Sequence, residues 1–201
     1  DDGRRYLAGW VASKTGELDA GSWEWGGQLS VREVAQQPDG ALAFRFPDTV
    51  LAHFDRQLPG ATAERLTLSR PDGYESRLLA STLPSTFLAT ATVEIGPHTQ
   101  QFGIILSADD DDATGYVIRC EPQRERIVFN RLPSDRKGRS ATVELEQACP
   151  LPPGTHVVQL LIDGTVCVVC VDGSVTLTAR MYDFTVRRMH LMVADGAVTL
   201  A

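Results

Sequence analysis

The stretch HVVQLLIDGTVCVVCVDGSVTLTAR, residues 156–180, decides the fold. Two Asp-Gly pairs, Asp163-Gly164 and Asp172-Gly173, divide it into three runs of strand length, 157–162, 165–171 and 174–180. A tight hairpin needs positive φ at its central positions, which glycine adopts freely and aspartate better than most residues. The spacing therefore predicts a three-stranded meander. Its middle run, Val166-Cys167-Val168-Val169-Cys170-Val171, lacks polar alternation, so both of its faces should be covered.

Working outward, period two is clearer. Phe87, Ala89, Ala91, Val93 and Ile95 share one face, with Thr90, Thr92 and Glu94 opposite. Phe102, Ile104 and Leu106 repeat the pattern, then Tyr116, Ile118 and Cys120, then Ile127 and Phe129. Alternation over four successive segments predicts an antiparallel sheet with one wet face. Asp-Gly also occurs at Asp2-Gly3, Asp39-Gly40, Asp72-Gly73 and Asp195-Gly196, and each reads as a turn. The best amphipathic helix candidate, 61–70, contains Thr67 and Ser69 and runs into Pro71. A chain with many strands and no long helix buries its core between two sheets, so the expected fold is all-β, a two-sheet antiparallel β-sandwich.

Composition narrows the function. Glycine (17) and proline (11) make up about 14% of the 201 residues, as short elements with many turns require. The formal net charge of −7 opposes a phosphate-binding surface, so no nucleic acid is expected. No apolar run approaches a membrane span, so no membrane association is expected. Lys14 and Lys137 are the two lysines among 19 basic residues, and the arginines are expected in ion pairs. Trp10, Trp23 and Trp25 are the three tryptophans, which sets off a strand-rich N-terminal arm. Turn signals between about Asp55 and Asp72 place its boundary, giving 1–56 as the arm and 57–201 as the sandwich.

No catalytic, metal or cofactor motif stands out. Cys167 and Cys170 form a C-x-x-C, but three residues apart on a strand they face opposite ways and cannot share a zinc ion. They read as reduced core thiols, and a pairing of Cys120 with Cys149 stays open. Cysteines without evident pairing lean toward a reducing compartment such as the cytoplasm. Adjacent Asp109, Asp110, Asp111 and Asp112 splay apart and read as a solvated loop rather than a calcium site. His53, His98, His156 and His190 are scattered.

The segment Leu7-Ala8-Gly9-Trp10, then Ser22-Trp23-Glu24-Trp25-Gly26-Gly27-Gln28-Leu29 and Arg32-Glu33-Val34, resembles the end of the five-bladed propeller of glycoside hydrolase family 32. The run Phe102-Gly103-Ile104-Ile105-Leu106, with Gly115-Tyr116-Val117-Ile118-Arg119 and Arg126-Ile127-Val128-Phe129-Asn130-Arg131, is similar to that family's C-terminal β-sandwich, a concanavalin-like jelly roll. The resemblance implies a parent acting on sucrose or fructans such as inulin and levan, with a propeller catalytic domain as partner. The family's catalytic carboxylates lie in N-D-P-N-G, R-D-P and E-C motifs, none of which occurs here. Arg119-Cys120-Glu121-Pro122 reverses the last of these, and Val168 and Cys170 stand where the family often carries a glutamate and an aromatic. The chain is therefore expected to be inactive alone and without cofactor or metal.

Three roles follow. A sandwich that supports a propeller or sets oligomeric state should expose apolar surface around Trp10, Trp23 and Trp25. A fructan-binding module would use Trp23 and Trp25, two apart on a strand, as a stacking platform for an oligosaccharide. A cryptic enzyme would need two carboxylates about 5–9 Å apart, for which Asp19 and Glu24 are the nearest candidates.

Overall fold

The computed structural model describes residues 3–58, 65–108, 113–132 and 145–201. Asp109, Asp110, Asp111 and Asp112, and 61–64 of the helix candidate at 61–70, lie outside these residues, and from Leu66 onward that candidate is strand rather than helix. The chain opens with a three-stranded antiparallel sheet of β1 (Arg5–Lys14), β2 (Trp23–Gln36) and β3 (Leu42–Arg45), followed by a single turn, α1 (Asp48–Leu51). Then come β4 (Leu66–Ala80), β5 (Thr86–Ile95), β6 (Gln101–Ser107), β7 (Gly115–Glu121), β8 (Arg126–Leu132) and β9 (Leu145–Ala148). The meander follows as β10 (Gly154–Asp163), β11 (Val166–Val171) and β12 (Val175–Arg180), and β13 (Arg188–Leu200) closes the fold.

These ten strands form a sandwich whose two sheets share one ribbon. Strand β13 pairs with β4 along nearly its whole length. Its other edge pairs first with β6, at Arg188 to Ala194, and then with β5, at Val198 to Leu200. One sheet thus continues through β6, β7, β8 and β9, the other through β5, β10, β11 and β12. The ribbon forks at Asp195-Gly196, where the ladder to β4 shifts register. Thr99 fills the fork: its hydroxyl donates to the Ala197 carbonyl at 2.8 Å and accepts from the Ala197 N–H at 3.2 Å. The turn signal at Pro71-Asp72-Gly73 is therefore a bend inside β4 rather than its end, and the Gly73 N–H donates to the Asp195 carboxylate at 2.7 Å.

The meander forms as its spacing predicts. Asp172 and Gly173 both take positive φ (51° and 56°). At the other turn Asp163 still pairs with Val166, so the two loop residues are Gly164 and Thr165. Alternate residues of β11 enter two different cores. Cys167, Val169 and Val171 join the interior between the sheets, with Phe87, Val93, Phe102, Tyr116, Ile118 and Phe129. Val166, Val168 and Cys170 pack outward against Phe46, Val11 and Leu51 of the N-terminal region. The expected wet face of the other sheet is corrected: every residue of β7 is buried. Ile105, Val117, Leu132, Met192 and Ala194 cluster on the far side, and Arg119 and Glu121 are ion-paired there at 3.4 Å.

Candidate functional site

The N-terminal sheet has one face tied down and one left open. On the inner face, Val11 and Phe46 seat on β11. Around that seat run polar ties: Gln28 donates to Asp163, and Arg32 to the Thr178 hydroxyl at 3.0 Å. Arg180 donates to the carbonyls of Val11 (2.6 Å) and Ala12 (3.1 Å). The Phe44 N–H donates to the Ser174 carbonyl at 2.8 Å. Arginine serves here because its planar fork of donors can meet several acceptors at once. The acidic Glu33, buried within the sheet, is paired by Arg4 and Arg45. The arginines thus go into ion pairs, as expected, and also into backbone carbonyls that join two layers.

On the outer face the register sets Trp10 opposite Leu29 and Tyr6 opposite Glu33. Trp10 is 58% exposed, Leu29 72% and Trp25 92%. The Trp10 and Trp25 rings lie 6.3 Å apart, tilted by 50°. Between Ala12 and Lys14 the ladder shifts register, so β2 carries extra residues around Trp25. That bulge interrupts the plain alternation expected to put Trp23 and Trp25 side by side, and it gives each ring its own neighbour. Trp25 stands beside Trp10, whereas Trp23, 56% exposed, lies under the Lys14 ammonium at 4.6 Å. Tyr6 and Leu29 escaped sequence reading because they are ordinary β residues until the pairing sets them beside the tryptophans.

The two acids considered for catalysis have different surroundings. Asp19 is buried and accepts from the Tyr116 hydroxyl (2.7 Å) and the Tyr182 N–H (2.8 Å). Burial and this bond push the Tyr116 phenol well above its ordinary range. The Asp19 N–H donates to Asp183 at 2.9 Å, and Lys14 caps the Asp19 carbonyl at 2.6 Å. Asp19 thus clasps the loop after β1 into the end of the sandwich. Glu24 lies on the exposed strand, taking a bond from Ser13 at 3.4 Å. Cys167 and Cys170 do face opposite ways, one into each core. Burial pushes the Cys167 thiol up to about 12 and Cys149 to about 11. All four cysteines are buried thiols. Val168 and Cys170 form the seat for Phe46. Among the described residues no helix is long and apolar enough to cross a membrane.

Comparison with solved structures agrees with this architecture. The chain is similar to sucrose-6-phosphate hydrolase from Lactobacillus gasseri, with a TM-score of 0.63 at 15% identity over 99% of this chain and 38% of that one. It is similar to exo-inulinase from Aspergillus awamori, with a TM-score of 0.62 at 15% identity, 88% of this chain and 36% of that one. The carbohydrate binding module CBM66 from Bacillus subtilis superposes with a TM-score of 0.56 at 19% identity, over 65% of this chain and 80% of the module. At these identities the likeness is one of fold, and the chain spans little over a third of the two enzymes. None of the curated proteins compared matches in sequence. The family model for the C terminal of glycosyl hydrolases family 32 matches residues 61–201, the sandwich together with the fork that joins its sheets, and the chain belongs to that family.

Proposed function

We propose that this chain is the non-catalytic C-terminal β-sandwich portion of a glycoside hydrolase acting on fructans or sucrose, and that it supports a propeller catalytic domain. The boundary near residue 56 divides a sheet completing the propeller side from the sandwich that carries it. The observation carrying this reading is the open face of β1 and β2, where Tyr6, Trp10, Trp25 and Leu29 form one exposed apolar stripe. An exposed apolar stripe of this kind marks a surface made for another protein surface. The same sheet is held from behind by Arg180, Arg32 and Phe46, so it presents a fixed platform.

The test is to mix the chain with a family 32 propeller domain lacking its own sandwich and to follow association by sedimentation velocity. A one-to-one complex is expected, lost in Trp10→Asp and Trp25→Asp. These rings are exposed, so the variants should keep the thermal unfolding of the parent chain. Self-association lost in the same variants would assign the stripe to oligomerisation instead. No association in either mixture would end the support role.

A stand-alone fructan-binding module is the second reading, favoured by the exposure of Trp25 and the likeness to a carbohydrate-binding module. Sugar hydroxyls need convergent polar partners beside the stacking ring, and the stripe is mostly apolar. Calorimetric titration with inulin and levan oligosaccharides separates the readings. Saturable heat abolished by Trp23→Ala and Trp25→Ala would make binding the function, and its absence would leave the supporting role.

A further inference from the structure

The interior between the two sheets is not filled. A cavity of about 540 Å³ lies between β5 and β10 on one side and β6, β7 and β13 on the other. Its wall is apolar, with Ala89, Ala91, Val158, Phe102, Ile104 and Leu191 contributing. Protein interiors are ordinarily packed as densely as organic crystals, and an apolar cavity of about 150 Å³ already takes up a small hydrocarbon.

The wall shows how the space arises. Inward positions at the far end of β5, Val93 and Ile95, are fully buried, as a closed sandwich requires. Ala89, Ala91, Val158 and Ile104 share the interior with them yet are only half-buried. The register places Ala91 directly opposite Val158 and Ala89 opposite Leu160, so two short side chains stand next to each other where longer ones would meet the facing sheet. The polar side chains Arg56, Gln57, Thr86 and Thr90 also line it, and all four are exposed. Among the described residues Arg56 has no carboxylate within ion-pair distance. A largely apolar wall with a few exposed polar groups, in a volume of roughly 300–1,000 Å³, is the composition of small-molecule sites.

We propose that this space binds a medium-chain aliphatic carboxylate, with the chain between Ala91 and Ile104 and the headgroup at Arg56. The exposed cation Arg56 on the lining selects an anionic head, and the largely apolar wall selects a hydrocarbon tail over a sugar. The site is separate from the tryptophan stripe and does not depend on the support role.

The probe is sodium decanoate, titrated into the chain and followed by calorimetry and thermal unfolding, with decanol and decyltrimethylammonium as neutral and cationic comparisons. Saturable binding of decanoate with a rise in Tm is expected, with decanol about fivefold weaker and the cation weaker still. Ala91→Leu and Ile104→Phe narrow the space where the hydrocarbon would lie and should weaken decanoate binding at least about fivefold while keeping or raising Tm. Arg56→Gln, at an exposed position, should bring decanoate down to the affinity of decanol. If one filling variant does not fold, the other and Arg56→Gln still decide. Absence of a saturable decanoate signal up to about 1 mM, from a chain that unfolds cooperatively, would overturn the proposal. So would filling variants that bind as the parent does, or equal affinity for all three probes.

Discussion

Asp19 sits outside the sandwich in sequence but inside it in space, and its loss should be felt at the opposite end of the chain. Its carboxylate holds the hydroxyl of fully buried Tyr116 and the backbone of Tyr182. Asp19→Ala leaves both donors without that acceptor, so a loss of about 2–3 kcal/mol is expected in urea unfolding. Tyr116→Phe removes one donor to Asp19 and also the acceptor of the Phe184 N–H at 3.2 Å, and should cost about 1–2 kcal/mol. Sequence reading singled out Asp19 for its acidity and could not find this role, because its partners are 97 and 163 residues away. His156 makes a second residue-scale prediction. Burial by itself lowers its pKa, but a 2.7 Å bond to Asp172, another to the Pro152 carbonyl and the charge of Asp172 together raise it above the ordinary 6.5. A group whose pKa is raised by folding stabilises the fold fully below its unfolded value, and that contribution is lost as pH rises through the folded value. The denaturation midpoint of the parent chain relative to His156→Gln should therefore shrink from slightly acidic to alkaline pH. A difference that stays constant or grows would show that the charged histidine contributes nothing.

The elements show what an amino-acid pattern reveals and where it stops. The alternation of 87–95 and the unbroken run of 166–171 translate directly into β5 and β11, because burial of one face or of both leaves different signatures. Asp-Gly pairs are less decisive. At 163–164 and 172–173 they make hairpins, but Asp72-Gly73 and Asp195-Gly196 lie inside β4 and β13 and face each other across the bend. The same tolerance of positive φ that serves a turn also serves a bulge, so the dipeptide alone does not distinguish them. Gly196 has a further reason to be glycine: a Cβ there would lie 2.5 Å from the Thr99 Cα. Backbone cannot yield as a flexible side chain can, so Gly196→Ala should cost about 2–4 kcal/mol by thermal or urea unfolding. An alanine variant as stable as the parent would mean that the fork opens freely. The wet face expected for β6, β7 and β8 failed for a related reason. Arg119 and Glu121 look solvent-bound in sequence, yet they neutralise each other and are buried.

For the molecule as a whole, the N-terminal sheet and the sandwich are joined by the seat of Phe46 on Val166, Val168 and Cys170. Phe46→Ala should cost about 3–4 kcal/mol and should make the segment after β3 newly sensitive to protease at native temperature. Destabilisation without that sensitivity would mean that the two parts do not separate before global unfolding. The family was legible in the order of short motifs, and the exposed patch around the tryptophans in their clustering. The stripe with Tyr6 and Leu29, and the gap between the sheets, were not legible, since both depend on which strands pair. The shared ribbon has a consequence for how the protein is made. Strand β13 is the last of the strands in sequence, yet it joins β4, β5 and β6 at the centre of both sheets. Until β13 is in place, the edges of β4, β5 and β6 that it will pair with stay open. Loop closures this long make for slow, aggregation-exposed folding. Closure of both sheets therefore waits on β13, and the sandwich is completed in one late step rather than strand by strand.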